Sequence, residues 1–284
     1  MFKDDLLAGQ RILITGGGTG LGAAMAGRFA ALGAHLVLCG RRLDTLQATA
    51  DHLVSLGAAP VQVLACDVRD AGQVDTLLDA IWQRGPLHAL VNNAAATFIA
   101  QTEHLSTRAM DAVLATTLHG ALYCTMGVGR RWIGDGSSAA QPGVVLSILS
   151  TSVRTGRAFT VPSAIAKSGL QAMTRSLAVE WGQHGIRLVA IAPGSFPTPG
   201  ASAQLMPGQR AQASAPAARV PLGRVGQPAE LADLAAFLLS AGAGYMSGET
   251  VAIDGAAHLR TSGAEDLLAW SPQDWQAQRA RRAP

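Results

Sequence analysis

The chain has 284 residues, of which 49% are hydrophobic and 14% are charged, and its formal net charge is +3. This composition excludes an intrinsically disordered chain, and so small a net charge argues against a nucleic-acid partner. The length suits one α/β domain, so we predict a single domain over residues 1–284.

The cysteines and the apolar runs indicate the compartment. Cys39, Cys66 and Cys124 have neither the spacing of a disulfide framework nor that of a metal site. No signal peptide is visible, and no apolar run approaches the roughly 18 residues of a membrane span. We therefore expect a cytoplasmic protein that binds neither a metal nor a membrane.

Seven short apolar runs alternate with helical patterns along the chain. The predicted strands are residues 11–15, 35–39, 61–66, 89–91, 144–148, 186–191 and 250–253. Helical patterns follow the first three strands, from the glycine cluster to residue 32, over 43–56 and over about 74–84. This alternation predicts an α/β fold with one Rossmann-type, doubly wound parallel sheet and helices on both faces, which binds ligands beyond the carboxyl ends of its strands.

Three stretches interrupt the pattern. Residues 134–143 are rich in Gly and Ser and are predicted to form a flexible surface connection. Residues 194–226 contain five prolines and are predicted to form a lid over the substrate crevice, with a short helix. Residues 262–284 are predicted to be a C-terminal helical extension, because Ser271 and Pro272 form a helix start. Trp270 and Trp275 are predicted to pack this helix onto the domain.

A glycine-rich turn follows the first predicted strand and opens the first predicted helix. Glycines allow a tight turn that brings backbone N–H groups against a pyrophosphate at the positive end of a helix. The candidate cofactor-binding residues in this turn are Gly16, Thr19, Gly20, Leu21 and Gly22.

The end of the second strand distinguishes NAD from NADP. A carboxylate there would bind the ribose hydroxyls of the adenosine, whereas this chain has Arg41 and Arg42 after Gly40. Two guanidinium groups suit a 2′-phosphate, so we predict NADP(H) as the cofactor. Arg42 can equally be a solvated residue at a helix start.

The glycine turn, the Asn92-Asn93-Ala94-Ala95 segment and Lys167 resemble the short-chain dehydrogenase/reductase family. The resemblance implies that Asp67 and Val68 lie at the adenine, and that Lys167 holds the nicotinamide ribose hydroxyls. It further implies a nicotinamide site made by Asn93, Ala94, Pro193, Gly194, Phe196 and Thr198. The usual catalytic core of the family is Tyr-x-x-x-Lys, but Ser163 stands four residues before Lys167, and the two tyrosines, Tyr123 and Tyr245, lie elsewhere in the sequence.

Further motifs resemble the 2,4-dienoyl-CoA reductases, among them Cys66-Asp-Val-Arg-Asp70, Thr102-Glu-His-Leu-Ser106, Val161-Pro-Ser-Ala164 and Met173-Thr-Arg-Ser-Leu-Ala178. Those enzymes have serine at the Ser163 position and take a tyrosine from the loop after the fifth strand. This chain has Ser152 at that tyrosine position, Thr97 where an asparagine holds the thioester oxygen, and Gln204 where an arginine contacts coenzyme A. The resemblance implies substrate contacts for Thr97, Phe98, Arg69 and Ser106, with Arg41 also compatible with coenzyme A.

The predicted catalytic residues are Lys167, Ser150, Ser152 and Ser163. Ser163 and Lys167 are four residues apart and share one face of a helix. A serine hydroxyl can donate to an oxyanion, although it is a far weaker acid than tyrosine, whose solution pKa is about 10. His119 is either a further proton carrier or an ordinary helix histidine.

We therefore predict an NADP(H)-dependent oxidoreductase that transfers a hydride to or from an activated C=C or C=O bond. The expected small-molecule substrate resembles an enoyl-CoA or dienoyl-CoA. One alternative is a carbonyl reductase or alcohol dehydrogenase acting on a small or natural-product ketone. Another is an NADP-binding protein without turnover. The resemblance also implies a homo-oligomer, expected to be a tetramer, that pairs through residues 107–131 and 162–182.

Overall fold

The computed structural model describes residues 2–134, 143–205, 216–260 and 264–281. The surface connection predicted at 134–143 lies almost wholly outside these residues. Parts of the predicted lid, residues 206–215, and of the predicted tail, residues 261–263 and 282–284, lie outside them as well.

Seven strands form one parallel sheet in the order β3-β2-β1-β4-β5-β6-β7. The strands are β1 (Arg11–Thr15), β2 (His35–Gly40), β3 (Gln62–Ala65), β4 (Ala89–Asn92), β5 (Val144–Ile148), β6 (Arg187–Pro193) and β7 (Thr250–Ile253). This confirms the predicted sheet, with strand ends that differ by one or two residues from the prediction. The central strands are buried throughout, as expected for a parallel sheet with both faces covered.

Helices cover both faces of the sheet. The α-helices are α1 (Gly20–Ala31), α2 (Leu43–Ser55), α3 (Ala71–Trp82), α4 (Thr107–Leu114), α5 (Gly120–Gly134), α6 (Ser152–Thr155), α7 (Val161–Trp181), α8 (Pro199–Leu205), α9 (Pro228–Leu239) and α10 (Pro272–Ala280). In β1, Ile12 and Ile14 pack into the apolar cluster that includes α1 and α9, whereas Leu13 packs into the cluster of α3 and α5. Successive side chains of one strand therefore reach two separate cores.

Helix α3 begins earlier than predicted. The Asp70 carboxylate accepts hydrogen bonds from the backbone N–H groups of Gly72 (2.9 Å) and Gln73 (3.2 Å) and so caps the helix at Ala71. The first turn of α3 is exposed, so it contributes no apolar residue to the periodic pattern. The pattern therefore begins only at the first buried residue, Val74, and the predicted start was too late.

Arg187, the first residue of β6, is buried and joins the sheet to α9. Its guanidinium donates to the carbonyl oxygens of Leu238 (3.0 Å) and Ser240 (3.4 Å) at the carboxyl end of α9, and to that of Met246 (3.1 Å). A cation at this end of a helix is favourable because the helix dipole is negative there. Burial lowers the pKa of the Arg187 guanidinium.

Helices α4 and α5 are joined by the π-helical turn Ala115–His119 into one long helix. By length and composition alone this Thr107–Gly134 segment is apolar enough to cross a membrane, so the prediction that no apolar run approaches that length is wrong. Half of its apolar window is buried inside the fold, as in a core helix of a soluble protein.

The C-terminal extension contains the predicted helix, α10. Ser271 caps it, and its hydroxyl accepts from the N–H of Asp274 at 3.2 Å. The rings of Trp270 and Trp275 pack against each other with centroids 4.8 Å apart, and the two residues remain 36% and 40% exposed. No described residue of α10 is buried, so these tryptophans form a surface pair and not the predicted anchor.

Candidate active site

The carboxyl ends of the parallel strands meet at one edge of the sheet. The glycine turn follows β1, Arg41 follows β2, Asp67 lies beyond β3, and Asn93 follows β4. Because neighbouring strands are parallel and paired, these groups lie at the same edge of the sheet, where the sequence pattern predicts the ligand-binding cleft.

The glycine turn fits a pyrophosphate. Gly16 and Gly20 have φ of 65° and 55°, a region that other residues rarely adopt. A Cβ atom at Gly22 would overlap the carbonyl oxygen of Gly16, so this approach of α1 to the turn requires glycine. Thr19 provides no side-chain cap, and the first turn of α1 has no acidic residue. The N–H groups there are suited to an anionic group of a dinucleotide.

Thr15 holds the turn against the end of β4. Its buried hydroxyl accepts from the N–H groups of Asn93 and Ala94, each at 3.0 Å. The Asn93 side-chain amide donates to the carbonyl oxygens of Thr15 (2.9 Å) and Gly16 (3.2 Å). Asn93 thus builds the floor of the cleft. Sequence reasoning missed Thr15, although a hydroxyl at the end of a buried apolar strand was an available signal.

Charged side chains lie beyond the ends of β2 and β3, where the sequence predicts the adenosine. Arg69 folds back on Asp67, with its Nε 2.9 Å from both carboxylate oxygens. The side-chain hydrogen bond from Arg69 lowers the pKa of the Asp67 carboxyl against the opposing effect of burial, and the backbone N–H and charge of Arg69 and, least, the charge of Arg41 lower it further. The fold therefore places Arg69, a predicted substrate residue, beside Asp67. Arg41 and Arg42 are exposed at the end of β2.

Lys167 is buried at the end of β5. Only 6% of its surface is exposed, and its Nζ donates to the carbonyl oxygen of Ile148 at 2.5 Å. Burial lowers the pKa of the Lys167 ammonium group to about 8. Helix α7 directs this side chain inward, and Pro162 in its first turn fixes where the helix starts.

Two of the predicted catalytic serines lie in the loop that leaves β5. The Ser150 hydroxyl accepts from the N–H of Ser152 at 3.3 Å, and Ser152, the first residue of α6, is 8% exposed. Ser163 lies one turn before Lys167 on α7 and is partly exposed. Because Lys167 binds the last carbonyl of β5, it lies where this hydroxyl-bearing loop begins.

Thr117 orders the segment that carries Thr97 and Phe98. Its fully buried hydroxyl accepts from the N–H of Ala96 at 3.0 Å and donates to the carbonyl oxygen of Ala96 at 3.3 Å. This contact lies in the π-helical turn, a feature that often occurs at functional sites. Thr97 and Phe98 are partly buried beside it. Sequence reasoning missed Thr117.

Two other predicted residues occupy helix positions. The Ser106 hydroxyl accepts from the N–H of Ala109 at 3.2 Å and so caps α4. His119 is exposed, and its ring lies 6.2 Å from that of Tyr123, which matches an ordinary helix histidine. Gln204 is exposed on α8.

The start of the predicted lid folds over the glycine turn. A Cβ atom at Gly20 would lie 3.5 Å from the Thr198 hydroxyl, so the two segments are in contact. Gly194 lies against Asp254, and its N–H donates to the carbonyl oxygen of Ile253 at 3.0 Å. Phe196 is buried against Gly226. The segment from Pro193 to Thr198 is thereby fixed beside the cleft.

Comparisons with known proteins agree with this architecture. The family model described as enoyl-(acyl carrier protein) reductase matches residues 16–258. A probable 2,4-dienoyl-CoA reductase, (2E)-enoyl-CoA-producing, of Bacillus subtilis is 39% identical over 87% of this chain and 95% of that protein. A probable 2,4-dienoyl-CoA reductase, (3E)-enoyl-CoA-producing, of Caenorhabditis elegans is 35% identical over 97% of this chain and 90% of that protein.

A solved structure from Agrobacterium tumefaciens with bound NADP, described as a candidate 2-deoxy-D-gluconate 3-dehydrogenase, is 30% identical. It superposes with a TM-score of 0.81 and covers 91% of this chain and all of that chain. The parallel sheet, the glycine turn and these relatives have one explanation: the chain belongs to the short-chain dehydrogenase/reductase family of oxidoreductases.

Proposed function

We propose that the protein is an NADPH-dependent reductase of 2,4-dienoyl or enoyl thioesters. The observation that carries the proposal is the buried Lys167 at the start of the loop that holds Ser150 and Ser152. The similarity to two probable dienoyl-CoA reductases over most of the chain supports this substrate class. NADPH as the cofactor is supported by Arg41 and Arg42 at the end of β2 and by the relative that holds NADP.

A nicotinamide cofactor supplies the hydride when it is bound. On a dienoyl thioester, addition of a hydride places negative charge on the thioester oxygen. The hydroxyls of Ser152 and Thr97 are proposed to donate to that oxygen, and the charge of Lys167 stabilises it. Because the site is buried around Lys167, this electrostatic contribution is larger than it would be in water.

The carbon that receives the proton decides the product. Protonation next to the thioester carbonyl gives a 3-enoyl thioester, whereas protonation at the fourth carbon gives a 2-enoyl thioester. The relative from Caenorhabditis elegans is named for a (3E)-enoyl-CoA product, and the relative from Bacillus subtilis is named for a (2E)-enoyl-CoA product. The position of the double bond in the reaction product therefore shows which carbon the protein protonates.

The test is NADPH oxidation with a panel of 2,4-hexadienoyl-CoA, 2-hexenoyl-CoA, a 3-ketoacyl thioester and a simple ketone, with identification of the products. We expect turnover of the dienoyl thioester and its loss in Lys167→Met. Lys3→Met is the matched control, since Lys3 is the other lysine of the chain and is exposed. Turnover of the ketone alone would support a carbonyl reductase, and NADPH binding without any turnover would support a binding protein. Either result would overturn the proposal.

A further inference from the structure

Asp254, which is buried, and His258, which is partly buried, form a hydrogen-bonded pair beside the candidate active site. His258 Nδ1 lies 2.7 Å from Asp254 Oδ2, and the two side chains are 12% and 3% exposed. The same carboxylate accepts from the N–H groups of Ala256 (3.0 Å) and His258 (2.8 Å). Asp254 is therefore an acceptor on both oxygens, and Nδ1 of His258 carries the proton between them.

The other ring nitrogen reaches α6. His258 Nε2 lies 3.3 Å from an Nη of Arg154, which can only donate. With its proton on Nδ1, the neutral imidazole presents an Nε2 lone pair to that guanidinium. His258 thus joins an acceptor, Asp254, to a donor, Arg154, and each of its ring nitrogens matches its partner.

Arg154 connects this pair to Ser152, the proposed hydrogen-bond donor to the thioester oxygen. It lies two residues after Ser152 on α6, and its second Nη donates to the carbonyl oxygen of Thr250 at 3.0 Å. A helix of four residues is not stable by itself, and α6 has no side-chain cap. The position of the Ser152 hydroxyl therefore depends on contacts such as those of Arg154.

The pair also contacts the segment beside the glycine turn. Gly194 packs so closely on Asp254 that a Cβ atom at Gly194 would overlap the Asp254 side chain. One network thus links the Pro193–Gly194 segment, the end of β7 and α6. The sequence motifs that indicated the cofactor and the catalytic serines include neither His258 nor Arg154.

We propose that His258 is a positioning residue, which holds α6 and the Ser152 hydroxyl in place through Arg154. The effect of His258 on turnover rests on the proposed function, in which Ser152 donates a hydrogen bond to the reacting oxygen. The effect of His258 on the order of α6 is independent of the proposed function. These two effects are measured separately.

Two substitutions of His258 separate its two hydrogen bonds. His258→Asn keeps a donor near Asp254 and removes the acceptor for Arg154, whereas His258→Gln places an acceptor near Arg154. We expect the backbone amides of residues 152–156 to exchange with deuterium about tenfold faster in His258→Asn, as for loss of one hydrogen bond to a charged group. His258→Gln should stay close to the wild type. His35→Asn is the control, because His35 is exposed at the start of β2.

In the turnover assay with 2,4-hexadienoyl-CoA, His258→Asn should lower kcat about tenfold with little change in KM or in the Kd of NADPH. A merely structural role would lower the Tm without lowering kcat selectively over KM and the Kd of NADPH. Should His258→Asn fail to fold, Arg154→Met removes the same contact and leaves the Asp254–His258 pair, so it should reproduce both effects. Equal behaviour of the Asn and Gln variants, or unchanged exchange in α6, would overturn the proposal. A wild type without turnover would refute the proposed function, and the exchange experiment would still decide the role of His258.

Discussion

The buried ammonium group of Lys167 carries the main electrostatic cost of the site. Its charge is removed from water, and among the described residues its hydrogen-bond partner is one backbone carbonyl, that of Ile148. The same burial lowers its pKa to about 8, so the charge is lost near neutral to mildly basic pH. Protonation of Lys167 therefore affects both the free energy of unfolding and the charge in the candidate active site.

The stability of the free protein should rise with pH above about 8. The folded-state pKa of Lys167 is about 8 and its ordinary value is 10.5, so between these values the unfolded chain binds more protons. From about pH 7 to about pH 10, the free energy of unfolding of wild type should increase relative to that of Lys167→Met by about 2 kcal/mol. Urea unfolding of both proteins measures this difference, and parallel pH profiles would show that Lys167 is not buried as a cation.

Arg41 should determine cofactor choice. A guanidinium that pairs with the 2′-phosphate makes a charge-assisted hydrogen bond, so Arg41→Ala should weaken NADPH binding about tenfold and leave NADH binding nearly unchanged. Arg84→Ala is the matched control, because Arg84 is an exposed arginine after α3 and lies outside the predicted site. Titration of both cofactors measures the effect. Equal losses for NADPH and NADH would contradict the assignment.

Replacing the hydroxyls by a phenol and an amide should increase turnover. Ser152→Tyr with Thr97→Asn would introduce two stronger donors toward a thioester oxyanion, and one well-placed donor contributes about 3 kcal/mol in the transition state. The double variant should consume NADPH faster than wild type with 2,4-hexadienoyl-CoA. A slower variant would indicate that the native hydroxyls are themselves the working acid system.

At the scale of elements, the site depends on how strand ends and helix ends are held. Thr15 ties β1 to β4, Thr117 ties the π-helical turn to residue 96, and Arg187 ties β6 to α9. In each case a buried polar side chain forms hydrogen bonds with backbone atoms of another element. The strands can therefore present their carboxyl ends to the cleft in one fixed arrangement.

Arg187→Met should destabilise the fold. It removes the guanidinium donor from the carbonyl oxygens of Leu238 and Met246 in a mostly buried environment, whereas the Ser240 carbonyl still accepts from the N–H of Ala243, and we expect a cost of about 1–3 kcal/mol. Arg224→Met is the matched control at the other end of α9, because its ion pair with Glu230 is exposed and should matter little. Urea unfolding distinguishes the two, and equal losses would refute the capping role of Arg187.

At the scale of the whole molecule, apolar side chains remain exposed on the helices of the predicted pairing surfaces. Met126 on α5 is 41% exposed, and Ile165 and Val179 on α7 are 47% and 85% exposed. Such apolar surface on long helices is typical of contacts between subunits. These residues lie within the ranges 107–131 and 162–182.

We expect a homo-oligomer, a tetramer by the family resemblance. Light scattering at micromolar concentration should give a multiple of the chain mass of 29.2 kDa. Ile165→Lys with Val179→Lys should lower that mass, because burying two ammonium groups in an apolar interface is costly. Leu56→Lys is the control, because Leu56 is the exposed C-cap residue of α2. A mass of 29.2 kDa for wild type would contradict the prediction.

The sequence by itself determined the sheet and predicted the edge of the sheet at which the site lies. Apolar runs such as Val144–Ile148 are strands because both faces of a parallel sheet are buried, and the glycines after β1 identify the turn that only they can form. The start of α3 was missed, although Asp70, a local N-cap signal, was present. These features depend on residues close together in the chain.

Only the tertiary structure decided which side chains meet. Arg154 and His258 are 104 residues apart, and Thr15 and Asn93 are 78 apart, so no local pattern indicates their hydrogen bonds. The partners are set by strand order, which brings the loops after β1 and β4 together. In the same way it is burial in the folded chain that lowers the pKa of Lys167.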